Sequence, residues 1–142
     1  MTVAQEKLGV ICVDDNPLVA DAVRIKLARS GGFEVTRWLA SADELREAVA
    51  RESPALVLLD LDMPGTPPLE VARAISRELN TSRIVVFSGH VRADLVEAAL
   101  DAGAWGYISK NDADAELIPV LQRVSRGEIG FSSEVAAVYG GP

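Results

Sequence analysis

Five polar side chains follow or end short apolar runs, and together they could transfer a phosphoryl group. They are three carboxylates, a hydroxyl and an ammonium, from Asp14, Asp15, Asp60, Ser88 and Lys110. If the carboxylates lie close together they repel one another, and the pKa of each rises unless a cation offsets the charge. Mg²⁺ is the expected cation, because it binds one or two protein carboxylates and leaves positions for water and phosphate oxygens. A metal ion, a positioned lysine, a hydroxyl and an aspartate nucleophile are what phosphoryl transfer requires.

The elements that must bring these groups together alternate along the chain. Short apolar runs predict five strands, over Leu8–Val13, Phe33–Leu39, Ala55–Asp60, Arg83–Ser88 and Ala104–Ser109. Three of them, which read GVICV, ALVLL and RIVVF, are nearly continuous β-branched and aliphatic runs, typical of strands covered on both faces of a parallel sheet. Apolar residues at helical spacing follow each strand and predict five helices. Ser41 and Glu44 predict a capping box at the start of the second helix.

This alternation predicts an α/β fold, a flavodoxin-like (βα)5 doubly wound parallel sheet with strand order 2-1-3-4-5. In such sheets the functional crevice lies beyond the carboxyl ends of the strands, where strands 1 and 3 diverge. All five polar groups stand at carboxyl ends of strands, so the topology places them on one rim. One further short helix is expected around Glu134–Tyr139.

Composition limits the class of protein. The 142 residues fit one domain, and 49% hydrophobic with 25% charged residues indicates a globular chain. A net charge of −7 argues against direct nucleic-acid binding. No apolar stretch approaches the length of a membrane span or a signal core, and the single cysteine, Cys12, is expected in the core of a protein from a reducing compartment. We therefore expect a cytoplasmic protein that does not insert into membranes.

The motifs resemble the receiver domain of bacterial two-component response regulators. They are Val13-Asp14-Asp15, LLDLDMPG around Asp60, FSG at Ser88 and GYISK ending at Lys110, in the family's order. The resemblance implies a receiver domain over residues 1–126, with 127–142 as a linker or short extra helix. It also implies a signalling switch phosphorylated by a sensor histidine kinase, and not an enzyme beyond promoting its own phosphorylation and dephosphorylation.

The resemblance assigns the acceptor site residue by residue. Asp60 is the implied phosphoacceptor, and Asp14 and Asp15 are the acidic pair. Mg²⁺ is expected on these three carboxylates and on the main-chain carbonyl of Asp62. Lys110 is the implied salt-bridge partner of the phosphoryl group.

The resemblance also implies switch residues. Ser88 would move to meet the phosphoryl group and Tyr107 would turn inward, which would alter the face formed by the fourth helix, fifth strand and fifth helix. Asp62 and His90 occupy positions that tune phosphoryl lifetime. Trp105 alternates with Tyr107 and is expected on the same side of the sheet, either as a packing residue or as an interface anchor. A homodimer is expected through the face of helix 4, strand 5 and helix 5, or through helices 1 and 5.

Two departures from the family pattern bear on function. Asn111 follows the lysine where many receivers have a proline, a substitution common in the branch that carries a LuxR-type helix-turn-helix. A DNA-binding output domain is therefore expected beyond Pro142, with the present chain cut from a longer transcription regulator. The second departure is Gly65-Thr66-Pro67-Pro68, where two prolines stiffen the loop beside the acceptor.

Two other functions are compatible with parts of the sequence. A stand-alone or phosphorylation-independent receiver would act by protein–protein contact alone. The run from Asp60 to Pro64 also resembles the D-x-D nucleophile motif of haloacid-dehalogenase-type phosphatases, but there the second acidic cluster follows the motif, whereas here Asp14 and Asp15 precede it.

Overall fold

A computed structural model describes residues 6–140 as a six-stranded parallel sheet with helices on both faces. The strand order is β2-β1-β3-β4-β5-β6. The strands are β1 (Leu8–Val13), β2 (Phe33–Leu39), β3 (Leu56–Leu59), β4 (Arg83–Ser88), β5 (Gly106–Ser109) and β6 (Gly130–Phe131). The helices are α1 (Pro17–Ser30), α2 (Leu45–Glu52), α3 (Pro68–Glu78), α4 (Ala93–Asp101), α5 (Ala113–Ser125) and α6 (Ser133–Tyr139). The predicted fold class and the order 2-1-3-4-5 of the five predicted strands are confirmed.

The inner strands β1, β3, β4 and β5 bury both of their faces, which explains their apolar runs, whereas most residues of the edge strand β2 are exposed or half-buried. Alternate residues such as Val10 and Cys12 pack on the side of α1 and α5, whereas Ile11 and Val13 pack on the side of α2 and α3. Cys12 is buried in the core as predicted, and burial raises the pKa of its thiol to about 12. Among residues 6–140, no helix has the length and apolar character needed to cross a membrane.

The start of α2 differs from the prediction. The capping box of Ser41 and Glu44 does not form, because α2 begins at Leu45 and no side chain caps it. Ser41 Oγ instead accepts a hydrogen bond from the Asp43 N–H at 3.3 Å. A serine side chain that bonds nearby backbone favours a turn over a helix, so residues 41–44 lead into α2 without joining it.

The sixth strand is the main addition to the predicted fold. β6 pairs with β5 in parallel, with Gly106 opposite Gly130 and Tyr107 opposite Phe131. A Cβ on Gly106 would lie 2.8 Å from the Gly130 carbonyl oxygen, so the close pairing requires glycine at that position. The sequence showed no strand here because two residues are too few to form a recognisable pattern.

The residues beyond the predicted boundary at 126 pack against the rest of the fold, and the division of the chain at that residue stays a prediction. The predicted short helix is present as α6, and its residue Val135 is fully buried in a cluster with Phe131 and Tyr107. Tyr139 stacks edge-on against Phe131 with ring centroids 5.9 Å apart, and its hydroxyl donates to Glu97 of α4 at 2.8 Å. Residues 130–139 therefore extend the same fold.

Candidate functional site

Three carboxylates gather beyond the carboxyl ends of β1 and β3. Asp14 and Asp60 are buried, with 1% and 3% of their surface exposed, whereas Asp15 is exposed. One oxygen from each of the three lies within 4.8 Å of the others. β1 and β3 are neighbours in the sheet, so their strand ends bring these acids together as the topology predicted.

Lys110 reaches the same cluster from the end of β5. Its Nζ lies 2.7 Å from Asp14 Oδ2 and 3.6 Å from Asp60 Oδ2. Burial alone would lower the pKa of Lys110, but hydrogen bonding and attraction to the two carboxylates raise it above its ordinary value. The lysine is therefore held charged between them.

The pKa of Asp60 is raised above its ordinary value. Burial is the largest cause, and Asp14 and Asp15 add repulsion. Lys110 opposes the rise, as does the Asp62 N–H, which donates to Asp60 Oδ1 at 3.3 Å. The site thus holds more negative charge than its single lysine offsets.

The donor set fits a hard divalent cation. Asp14 Oδ2 is buried, and the Lys110 ammonium contacts it at 2.7 Å. This single ammonium faces three carboxylates, so a divalent cation would offset the negative charge that remains. The exposed Asp15 leaves the cluster open to solvent on one side. Oxygen ligands with room for water are what Mg²⁺ requires.

The predicted switch residues meet at the backbone of His90, in the connection between β4 and α4. Ser88 is fully buried, and its Oγ accepts a hydrogen bond from the His90 N–H at 3.0 Å. Tyr107 is turned inward with 1% exposure, and its hydroxyl donates to the His90 carbonyl oxygen at 2.6 Å. The His90 ring is exposed, with Nε2 3.3 Å from Asp62 Oδ2. Asp62 and His90, the two residues expected to tune phosphoryl lifetime, therefore touch each other beside the acid cluster.

Trp38 also belongs to the site, although no sequence motif pointed to it. It lies near the carboxyl end of β2, and its indole Nε1 donates to the Asp14 carbonyl oxygen at 2.7 Å. Trp38 as a whole is 45% exposed. The available signal was its place at the same rim as the other strand ends.

This arrangement of acids, lysine and buried hydroxyl coincides with a family match. Residues 10–122 match the family described as "Response regulator receiver domain". The chain belongs to that receiver family. Because the chain belongs to the receiver family, the match also excludes the haloacid-dehalogenase-type phosphatase. The order of the acids, with Asp14 and Asp15 before Asp60, agrees with this.

Relatives of the receiver are named as a transcriptional activator and as a response regulator. It is 35% identical over 129 residues to the transcriptional activator protein ExaE of Pseudomonas putida, covering 91% of this chain and 60% of ExaE. It is 29% identical over 134 residues to the nitrate/nitrite response regulator protein NarL of Escherichia coli, covering 94% of this chain and 62% of NarL. The receiver thus spans about three fifths of the length of these curated relatives.

Solved structures agree with the fold and with the branch that Asn111 indicated. A two-component response regulator of the LuxR family from Aurantimonas sp. SI85-9A1 superimposes with a TM-score of 0.88 at 28% identity. The superposition covers 94% of the receiver and 95% of that chain. The signal receiver domain of the putative response regulator NarL from Mycobacterium tuberculosis gives 0.82 at 28% identity, covering 87% of the receiver and 100% of that chain.

Trp105 lies away from the acid cluster of the receiver. The prediction that it shares a side with Tyr107 is wrong, because Trp105 precedes β5 and packs against the cluster beside α5, whereas Tyr107 faces α4 and α6. The Arg83 guanidinium lies 4.8 Å from the centroid of the indole. These contacts are those of a packing residue, and an interface role for Trp105 stays a prediction.

The proline-containing loop is tied to the start of α2. Asp43 Oδ1 accepts a hydrogen bond from the Thr66 N–H at 2.9 Å, and this bond lowers the pKa of the Asp43 carboxyl. Pro68 is the first residue of α3, a position where the missing N–H costs no helical bond. The loop therefore leaves the acid cluster intact.

Proposed function

We propose that this receiver is a phosphorylation-controlled switch in which Asp60 accepts a phosphoryl group from the phosphohistidine of a sensor histidine kinase. A carboxylate oxygen of Asp60 forms a bond to phosphorus as the phosphorus–nitrogen bond to the imidazole breaks. The electron pair of that bond leaves on the imidazole nitrogen, which takes a proton from solvent. The product is an acyl phosphate on Asp60.

The observation that carries this proposal is the position of Lys110 between Asp14 and Asp60. An ammonium held 2.7 and 3.6 Å from two buried carboxylates is placed to meet the charge that a phosphoryl group brings to Asp60. Phosphoryl transfer depends mainly on positioning and charge stabilisation, and the site supplies both.

The carboxylates of Asp14, Asp15 and Asp60 and the Asp62 carbonyl would hold Mg²⁺. When bound, the ion neutralises charge on the phosphoryl oxygens and orients them. The residues of the chain contribute the nucleophile and the ammonium.

The backbone of His90 would connect the phosphorylation of Asp60 to the face formed by α4, β5 and α5. If Ser88 turns its hydroxyl towards the phosphoryl group, the His90 N–H loses its acceptor. Tyr107, bonded to the carbonyl of the same residue, then responds through the connection to α4. We propose that this shared residue relays phosphorylation to α4, β5 and α5. The contact of the His90 side chain with Asp62 lies beside the acid cluster and would tune phosphoryl lifetime.

Partner contacts form the remaining part of the proposal. An apolar groove between α1 and α5 runs past Lys110, and Leu18 on its border is 76% exposed. This groove supports the α1–α5 face as a contact for the kinase or a second receiver. The alternative face of α4, β5 and α5 is partly covered by α6, so a dimer there would include or displace α6. We propose that the receiver acts in the cytoplasm and controls transcription, the role that the name of ExaE gives to that protein, through a DNA-binding domain and without touching DNA itself.

Intact-mass analysis after incubation with acetyl phosphate and Mg²⁺ tests the proposal. The wild type should gain one phosphoryl group, and Asp60→Asn should gain none. Asp101→Asn, a change on the exposed side of α4, is the matched control and should label as the wild type does. Absence of an adduct on the wild type, under conditions that label a known receiver, would overturn the proposal.

A further inference from the structure

Glu134, in the first turn of α6, accepts hydrogen bonds from both residues that flank Lys110. Its Oε2 accepts a hydrogen bond from Ser109 Oγ and a second from Asn111 Nδ2, the latter at 3.2 Å. Ser109 is fully buried, and its Oγ accepts in turn from the Asn111 N–H at 3.1 Å. One carboxylate therefore fixes the chain on either side of the lysine.

Asn111 makes this network possible. It uses both its backbone N–H, donated to Ser109, and its side-chain amide, donated to Glu134. A proline at this position could donate neither. This chain thus has Asn111 where many receivers have a proline, and Glu134 of α6 accepts the hydrogen bond that the asparagine side chain donates.

The bonds run in both directions between α6 and the turn Lys110–Asp112. The Glu134 N–H donates to Asp112 Oδ2 at 2.9 Å, and the Ser109 N–H donates to Ser132 Oγ at 2.9 Å. Ser132 and Ser109 are both fully buried. Buried, mutually satisfied polar groups of this kind fix one backbone geometry.

We propose that Glu134 is a positioning residue for Lys110. It holds the turn in the geometry that keeps the lysine ammonium between Asp14 and Asp60, so its two hydrogen bonds to Ser109 and Asn111 set the rate at which Asp60 accepts a phosphoryl group. This inference rests on the proposed function of Asp60. Glu134 touches none of the reacting groups, and its effect is exerted through Ser109 and Asn111.

Glu116 provides a matched control. It too is a carboxylate that binds the first turn of α6, with Oε1 accepting from the N–H and the hydroxyl of Ser133, each at 2.9 Å. It has no described hydrogen bond to Ser109 or Asn111. Loss of Glu116 therefore weakens the anchoring of α6 without removing a bond to the neighbours of the lysine.

The test compares Glu134→Ala, Glu134→Gln and Glu116→Ala with the wild type. Loss of a charged acceptor of two hydrogen bonds should slow labelling by acetyl phosphate about tenfold in Glu134→Ala. Glu134→Gln keeps an acceptor oxygen and should recover most of the rate. Glu116→Ala should stay within about twofold of the wild type, because it leaves both hydrogen bonds to Glu134 in place. Affinity for Mg²⁺, measured by calorimetry, should be unchanged in all variants, because Lys110 is not a metal ligand.

Amide hydrogen exchange at Asn111 supplies a readout that needs no phosphoryl group. Exchange should accelerate in Glu134→Ala and remain slow in Glu116→Ala. Equal exchange and equal labelling rates in these two variants would overturn the inference, and so would an unchanged rate in Glu134→Ala. If the wild type itself does not label, the proposed function fails while the exchange data still decide whether Glu134 positions the turn. Should Glu134→Ala not fold, Asn111→Ala removes one of the two bonds and should slow labelling about threefold.

Discussion

The acid cluster and the β5–β6 edge differ in what stabilises them. At the acid cluster, two buried carboxylates and an exposed one share a single lysine, and the pKa of Asp60 is raised. At the β5–β6 edge, Phe131 and Val135 pack against Tyr107 in a buried apolar cluster. The first region is short of positive charge and should respond to metal ions, pH and phosphoryl groups. The β5–β6 edge is stabilised by packing. Its stability should not depend on metal ions, pH or phosphoryl groups unless the elements packed against it move.

α6 is the element that touches both regions. Its first turn bonds to the connection that carries Lys110, and Val135 packs beside Tyr107. Substitutions in the two regions should therefore be distinguishable by their dependence on metal and pH.

The largest effect on stability is expected at the packed edge. Phe131→Ala removes a buried aromatic side chain and should lower the free energy of unfolding by about 3 kcal/mol. Because the loss comes from packing, chemical denaturation should give the same difference with and without Mg²⁺. A loss that changes with Mg²⁺ would break the distinction between the regions.

A smaller, ion-dependent effect is expected at the acid cluster. Lys110→Ala leaves Asp14 and Asp60 without their cation and should lower the free energy of unfolding by about 2 kcal/mol in the absence of metal. Added Mg²⁺ should recover part of this loss. Lys26→Ala, which breaks an exposed ion pair with Asp114 at 3.9 Å, should stay within about 0.5 kcal/mol of the wild type. Equal losses of unfolding free energy in the two variants would show that Lys110 stabilises the carboxylates no more than an exposed lysine does.

Neutralising the acceptor should stabilise the fold. Since the pKa of Asp60 is raised in the folded protein, its charged form disfavours folding above that pKa, and Asp60→Asn should add on the order of 1 kcal/mol at neutral pH. The gain should vanish as pH falls through the raised pKa towards the ordinary aspartate value, because the wild type then becomes neutral too. Denaturation across pH measures this difference.

Asp94→Asn is the control for that pH dependence. Hydrogen bonds from Arg92 lower the pKa of the exposed Asp94 carboxyl, so its neutralisation should bring no gain at neutral pH. A pH-independent gain in Asp60→Asn would contradict the charge imbalance at the cluster.

The smallest expected effect is on Mg²⁺ affinity, and it distinguishes Trp38 from Trp105. Trp38→Phe removes the hydrogen bond to the Asp14 carbonyl oxygen and should weaken Mg²⁺ binding about two- to threefold by loosening that backbone. Trp105→Phe should leave Mg²⁺ affinity unchanged, since Trp105 packs beside Arg83 away from the cluster. Calorimetric titration of both variants provides the measurement, and equal Mg²⁺ affinities would remove Trp38 from the site.

Much of the acid cluster could be predicted from the sequence because it depends on strand ends. The apolar runs of β1 and β3 stop at Asp14 and Asp60, and a parallel sheet places both ends on one rim. The position of Lys110 followed from the same rule applied to β5. Predicting that these residues lie on one rim therefore required only the order of the strands and helices along the chain.

The β5–β6 edge could not be predicted in the same way. Gly130 and Phe131 give no periodic pattern, and their pairing depends on a close approach at Gly106 that only the packed structure shows. Trp105 was misplaced because strand alternation was extended one residue beyond the start of β5. Glu134 escaped notice because its partners are fixed by the docking of α6, which no local pattern encodes.

Localisation of the acyl phosphate tests the central claim most directly. Borohydride reduces an aspartyl phosphate to homoserine, so peptide mapping after acetyl phosphate, Mg²⁺ and borohydride treatment reports which aspartate was the acceptor. The account predicts homoserine at position 60 alone, and none there when Mg²⁺ is omitted and chelator is present. Homoserine at Asp14, Asp15 or Asp62, or at no aspartate of a chain that binds Mg²⁺, would contradict it.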